Sequence, residues 1–182
     1  MYCFLIASLH ELQLDAPPPM SVEAFLEICK TELSEEKFAE LTSFDGSVTP
    51  DFKCCDTFPA IYNAYGKFEL YLRYRIAMRR AEKANEQLEL PEPSESFSDY
   101  DYAAATLANT ANPAERELII DRLRWNFIEE QLLCKEFTLD ALCAYKLKLA
   151  IVNKYRHRKL EPGQKNFDAA LERLSQKTVR QE

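Results

Sequence analysis

The sequence predicts an all-α fold, a multi-helix bundle with a long central helix pair, and three observations carry that reading. Only three glycines occur in 182 residues, too few for the tight turns of βαβ units or for phosphate-cradling loops. A hydrophobic residue just before a cap and a partner at the fourth helical position, the spacing of a hydrophobic staple, recur three times: Met20 with Phe25, Leu33 with Phe38, and Phe137 with Leu142. The stretch from Asn112 to Leu160 holds the longest apolar periodicity and the only Trp.

In chain order, Tyr2-Cys3-Phe4-Leu5-Ile6-Ala7-Ser8-Leu9 is apolar but too short to separate an extended segment from a helical turn, and reads as a core-anchoring N-terminus. Pro17-Pro18-Pro19 imposes a polyproline segment, either a rigid spacer or a ligand for an aromatic groove. Ser21 then caps a helix to about Leu33, Ser34 caps a short one, and Phe44-Asp45-Gly46-Ser47 is a turn. A long helix is expected from Thr57 to about Leu88, with Pro59 in its first turn and a stripe of Ile61, Tyr65, Phe68, Leu72 and Ile76. Glu69 and Arg73 have the favourable i,i+4 order. Arg79 continues the stripe, so either the core ends there or Arg79 meets an acid.

Pro91 to Tyr102 is acidic and rich in breakers, and 91–111 reads as a mobile loop or hinge between helical halves of one domain spanning 1–182. Ala103 to Ala108 can make only a short, weakly anchored helix. Asn112-Pro113-Ala114-Glu115 starts a helix with a cap, a ring at the first position and an acid. Its apolar residues lie on two sides, with Ile119, Ile120, Leu123, Phe127 and Cys134 opposite Leu118, Trp125, Ile128 and Leu132, so two neighbours must cover it. Asp121 and Glu130 interrupt these faces and are therefore at an edge or paired. After a short joint at Lys135 to Phe137, an antiparallel partner runs from Thr138 through Leu142, Tyr145, Leu149 and Val152, with Leu147, Ile151 and Tyr155 alongside. It ends in Lys154, Arg156, Arg158 and Lys159 before Pro162-Gly163, and a last amphipathic piece follows with Phe167, Ala170, Leu171 and Leu174.

Charge is uneven within a net −7. Residues 1–56 carry three basic against eleven acidic side chains, whereas 57–90 carry six against four and 115–160 ten against seven. The acidic front and basic body either complement one another or dock charged partners. The overall sign disfavours nucleic acid. Six cysteines at 3, 29, 54, 55, 134 and 143 contain no C-x-x-C and accompany only two histidines, which fits neither a zinc site nor a secreted disulfide framework and places the chain in a reducing cytoplasm. Cys54-Cys55 reads as loop thiols before it reads as a redox pair. The apolar run 2–9 cannot cross a bilayer and has no leader features.

No chemistry assembles. His10 and His157, the only imidazoles, stand in no recognisable pattern, and the carboxylates show no E-x-x-H or calcium-loop spacing. The expectation is a non-enzyme with no catalytic, cofactor-binding or metal residues. Tyr62, Tyr71, Tyr74, Tyr100 and Tyr102 fall off the main stripes, and aromatics beside arginines are the composition of interfaces, though a Tyr at a helix edge is often half-buried core. The interface candidates are Arg73, Arg75, Arg79, Arg80, Tyr71, Tyr74, Arg156 and Arg158. A solvated, self-paired helix face is the competing reading of the arginines.

The opening 2–9, the Pro17-Pro18-Pro19 tract into Ser21, Tyr62-Asn63-Ala64-Tyr65-Gly66-Lys67-Phe68-Glu69, and above all Asn112-Pro113 through Asp121-Arg122-Leu123-Arg124-Trp125 to Phe137-Thr138-Leu139-Asp140-Ala141-Leu142 with Ala144-Tyr145 resemble a small bacterial family. That family is encoded among the subunits of V-type (A/V-type) ATPases, in the position of the C component of the central stalk, which is called d in eukaryotes. The resemblance covers most of the chain, which is about half the length of a full C/d stalk component. It implies an all-α, non-catalytic spacer that couples the rotating stalk to the membrane ring, with other stalk or ring subunits as partners and no cofactor. Such a protein would be cytoplasmic and peripheral to the inner membrane face through the complex. A helical adaptor unrelated to the ATPase shares every bulk property, and a small metal-free hydrolase would need His10 or His157 as its base.

Overall fold

A computed structural model describes residues 2–156, and among them the chain is helical, with seven α-helices, one 3-10 turn and no strand. The elements are α1 (Cys3–Ser8), α2 (Val22–Glu32), α3 (Glu35–Thr42), α4 (Ala60–Ala84), the 3-10 turn Ser98–Tyr100, α5 (Asp101–Asn109), α6 (Pro113–Gln131) and α7 (Leu139–Arg156). The residues His157, Arg158, Lys159, Pro162, Gly163, Phe167, Ala170, Leu171 and Leu174 named from the sequence lie outside this range, as do the side chains of Tyr155 and Arg156.

The N-terminal stretch is helical, with the Ile6 amide donating to the Tyr2 carbonyl at 2.9 Å; Leu5 is buried and Phe4 faces outward. Caps are where the sequence places them on α2, α3 and α6: Ala24 N–H donates to Ser21 Oγ at 3.2 Å, Lys37 N–H to Ser34 Oγ at 3.4 Å, and Ala114 N–H to Asn112 Oδ1 at 3.0 Å. Phe25 sinks into the core, and Met20, Leu33 and Phe38 pack against it. The third staple departs from the pattern. Phe137 stays 57% exposed, and Thr138 Oγ1 turns back to donate to the Lys135 carbonyl.

Helix α4 is shorter than expected at both ends. At the start, the Asp140 carboxylate reaches across from α7 to accept from Ile61 N–H at 3.4 Å, while Asn63 holds the Cys55 backbone from both sides. At the end, Asn85 adopts φ 56°, and Glu86 N–H closes on the Ala81 carbonyl at 3.0 Å in a Schellman-type stop. An asparagine here does the work that a glycine usually does.

The three long helices form the body. Ile61 on α4 meets Asp140 at the start of α7, and two turns further along α4 Glu69 shares a cleft with Ile151 and Lys154, so α4 and α7 run in the same direction. Lys148 pairs with Glu129 and Lys154 with Asp121, an ascending order on α7 against a descending one on α6, so α6 is antiparallel to α7 as the short joint predicts. Helix α6 is covered on two sides in its C-terminal half, where Phe127 stacks on Phe68 of α4 at 4.1 Å and 5° while Trp125 packs under Lys148 of α7 at 4.5 Å. Leu118 and Cys134 are exposed, so the cover does not extend to the helix ends. Helix α7 is buried nearly all round: Leu142, Cys143, Ala144, Leu147, Leu149, Ile151 and Val152 are all inside.

The 91–100 segment is laid along α4. Lys67 pairs with Glu95, the Phe97 ring packs against Phe68, Tyr71 and Phe127, and Tyr100 Oη donates to Glu130 at 2.8 Å. Helix α5, the short helix expected at Ala103 to Ala108, starts two residues earlier at Asp101 and buries Ala104 and Leu107. Tyr62 and Tyr71, expected off the stripes, are core residues, because α4 is covered on more sides than one stripe requires; Tyr102 alone of the five stands fully in water.

A polar knot sits inside this core. Lys146 Nζ donates to the carbonyls of Leu41 at 3.0 Å and Phe44 at 2.6 Å, closing the C-terminal end of α3, and Tyr62 Oη donates to the same Leu41 carbonyl at 2.7 Å. Burial lowers the Lys146 amine below its ordinary range and pushes the thiols of Cys29 and Cys143 up to about 12 and the Tyr62 phenol up as well.

The two thiols and the phenol hold their protons in the folded state at pH values where the unfolded chain releases them, so stability falls as pH rises above about 9. Lys146 acts with the opposite sign below its ordinary range, but it is one group against three. The melting temperature is expected to drop steeply between about pH 9 and pH 12, and Cys29→Ala and Cys143→Ala to flatten the early part of that drop. At Gly66 an added methyl would run into the Phe52 ring. Gly66→Ala is therefore expected to destabilise by ~1–3 kcal/mol in urea unfolding despite its better helix propensity, with part of the loss recovered when Phe52→Ala is added.

Candidate functional site

Where α4, α6 and α7 meet, two carboxylates are withdrawn from water. Glu69 and Asp121 are each 1% exposed. A carboxylate is tolerated there only where donors meet its oxygens, and donors do. Glu69 accepts from Arg73 Nε at 2.8 Å, Arg124 Nε at 2.8 Å and a terminal nitrogen of Arg124 at 2.5 Å. Asp121 accepts from the other terminal nitrogen of Arg124 at 2.9 Å and from Lys154 Nζ at 2.9 Å. Arg124 thus bridges both acids. Burial works against its charge, but the Glu69 hydrogen bond and the adjoining negative charge outweigh that and hold the guanidinium protonated above its ordinary range.

The placement has local reasons. Glu69 lies one turn before Arg73 on α4, and Asp121 three residues before Arg124 on α6, so each acid has a partner on its own helix. Arg73 also donates to the Val48 carbonyl, tying the 45–48 turn to the same junction. That turn is shaped by Gly46 at φ 91° and by Ser47 N–H donating to Asp45 Oδ1 at 2.8 Å.

The acids are at the bottom and the cations are above them. The Arg73 side chain is 51% exposed and that of Lys154 44%; Arg80 is exposed as well. Two clefts open over the junction and share Glu69, Arg73 and Arg124. One runs between α4 and α6 past Leu72, Ile76, Ala77, Arg80 and Ile120, and the other past Val48, Tyr65, Leu147, Ala150, Ile151 and Lys154. The shared residues join them into one trough with a largely apolar floor, rimmed by Arg73, Arg80 and Lys154 and, on the 45–48 turn, by the exposed Asp45.

The interface candidates from the sequence divide over the surface. Arg73 and Arg80 rim the trough. Arg75 pairs with Asp101 at 2.7 Å and Arg79 with Glu82 at 2.8 Å, so both are engaged within the chain, in line with the self-paired reading. Tyr71 is buried, its hydroxyl donating to Asp101 at 2.6 Å, and is not an interface aromatic; Tyr74 is half-buried. Missed from the sequence were Arg124 and Lys154. Asp121 interrupting an apolar face was the available signal for both.

His10 lines a separate cleft between α1 and the α6–α7 corner with Glu129, Tyr145 and Lys148. Glu129 there is bonded to Trp125 Nε1 and Lys148, each at 2.9 Å. Among the described residues, no group of three or more His, Cys, Asp and Glu side chains gathers as a metal site, and no helix is long and apolar enough to cross a membrane.

A family model described as "Protein of unknown function (DUF2764)" matches residues 73–178, more than half of the chain. The match starts in mid-α4, so it contains Arg73, Arg124, Asp121 and Lys154 but not Glu69. No curated protein and no solved structure matches this chain.

Removing one partner from a buried ion pair strands the other. Glu69→Gln is expected to cost ~3 kcal/mol in urea unfolding at neutral pH, and the double variant Glu69→Gln/Arg124→Met to recover part of it. Additive losses would mean that the two residues do not share one network.

Proposed function

We propose, from the premise that this chain belongs to the DUF2764 family of proteins of unknown function, that it is a non-catalytic subunit of a bacterial V-type ATPase. Its role there is mechanical: a coupling component of the central stalk, supplying part of the C/d architecture and reaching the membrane only through the complex. The observation that supports this reading best is the ionic junction of α4, α6 and α7. A spacer that passes torque or thrust between other subunits must resist sliding of its helices, and apolar packing alone resists sliding poorly. Arg124 and Lys154 pin α6 to both neighbours, and α4 is a rod of 25 residues, roughly 37 Å long. Asp121 and Arg124 lie inside the block Asp121-Arg122-Leu123-Arg124-Trp125 that carries the resemblance to the ATPase-associated family.

Further support comes from large apolar residues left exposed, Leu133 and Phe137 at the α6–α7 corner and Phe4 on α1. Such residues on a rigid scaffold are suited to contact with other subunits. The test is purification of the tagged chain from native membranes, followed by mass spectrometry. Stalk or ring subunits are expected to co-purify at near-stoichiometric levels. Their absence, with other cytosolic proteins recovered instead, would replace this reading with that of an adaptor unrelated to the ATPase.

A further inference from the structure

The trough over Glu69 and Asp121 has a use beyond holding the helices together. We propose that it is the docking site of an acidic, amphipathic helix from a partner protein. This rests on the stalk reading for the identity of the partner, but not for the chemistry of the surface. The argument is charge complementarity combined with the shape of the floor. Glu69 and Asp121 are buried and bonded, whereas Arg73 and Lys154 keep about half of their side chains in water and Arg80 is exposed, so an approaching chain meets three cations against the single exposed acid Asp45. Arg73 and Arg80 are seven residues apart on α4, two helical turns and about 10 Å along one face. Carboxylates at i and i+7 on a partner helix have the same pitch.

Between and beside these cations the trough leaves Ile76 and Ile120 half-buried, above the buried Leu72 and Ile151. A phosphate backbone would leave that floor wet, and a flat lipid surface would not reach it. A helix with apolar residues on one side and Asp or Glu along their border fills both features, with binding energy from the floor and register from the rim. Arg75 and Arg79, spent on Asp101 and Glu82, lie outside it.

The test uses the full chain on native membranes with a water-soluble carbodiimide, which joins a carboxylate and an amine as an amide while the reagent takes up the water. Lys154 is the amine on the rim. The expected result is a cross-link from Lys154 to an Asp/Glu-rich helical segment of an ATPase subunit. Arg80→Glu should lower capture of that subunit about tenfold, with an unchanged far-ultraviolet spectrum, while Arg122→Glu, outside the trough, should leave capture unaltered. Undiminished capture by Arg80→Glu with no Lys154 cross-link overturns the docking site and leaves the stalk reading standing. An Arg80-dependent cross-link to an acidic helix in some other protein supports the docking site and overturns the stalk reading. Binding to phosphatidylglycerol vesicles that Arg80→Glu abolishes, without the cross-link, assigns the trough to lipid and overturns the proposal.

Discussion

Two carboxylates that water cannot reach constrain everything around them. Glu69 and Asp121 would each carry a desolvation penalty of several kcal/mol if left alone, so α6 must present Arg124 to both and α7 must bring Lys154 to one. Apolar packing leaves α6 underdetermined, since its hydrophobic residues face two ways: Phe127 toward α4, Trp125 toward α7. The ion pairs between helices fix its rotation, because Arg124 must face Glu69 on α4 while Asp121 faces Lys154 on α7. The net gain in stability from such a buried network is small; what it supplies is register.

The same logic operates at the other end of the body, with backbone groups in place of carboxylates. At the C-terminal end of α3, Leu41 lies in the core while Thr42 and Ser43 reach the surface. Lys146 and Tyr62, from the two parallel helices, both donate to the Leu41 carbonyl. The acidic N-terminal region is thereby fastened to the basic helical body at one buried point. The 91–100 strap does likewise on another face, through Lys67–Glu95 and the ring cluster around Phe68.

The fold was legible wherever local chemistry decides structure. Ser21, Ser34 and Asn112 cap helices because the caps need only their own neighbours. The stripe Ile61, Tyr65, Phe68, Leu72 is buried because its spacing is intrinsic to the helix. What escaped was set by distant partners. The start of α4 depends on Asp140, 79 residues away, and its end on the tolerance of Asn85 for a positive φ. The acidic, proline-rich 91–102 segment has the composition of a linker, and the Phe97 and Tyr100 rings together with the Lys67–Glu95 pair, all contacts with distant residues, lay it on α4. Glu69 and Arg73 had the signature of a solvent-exposed pair, and nothing local reveals that the acid lies inside, since its burial comes from Arg124, 55 residues on.

The layering of charge at the junction also shapes how a partner would be met. The chain as a whole is at −7, so an acidic partner feels repulsion at long range. Salt limits that field to about 10 Å at roughly 0.1 M ionic strength. Inside that distance the local arrangement dominates, and over the trough it is positive, because the two negative charges are beneath the surface and each is already bonded. An acidic helix would therefore gain little steering from the protein's overall field and much discrimination at contact, where a like-charged rim elsewhere rejects it and Arg73, Arg80 and Lys154 accept it. Association of that kind is slow but selective, which suits a subunit installed once in an assembly better than one exchanged at every cycle.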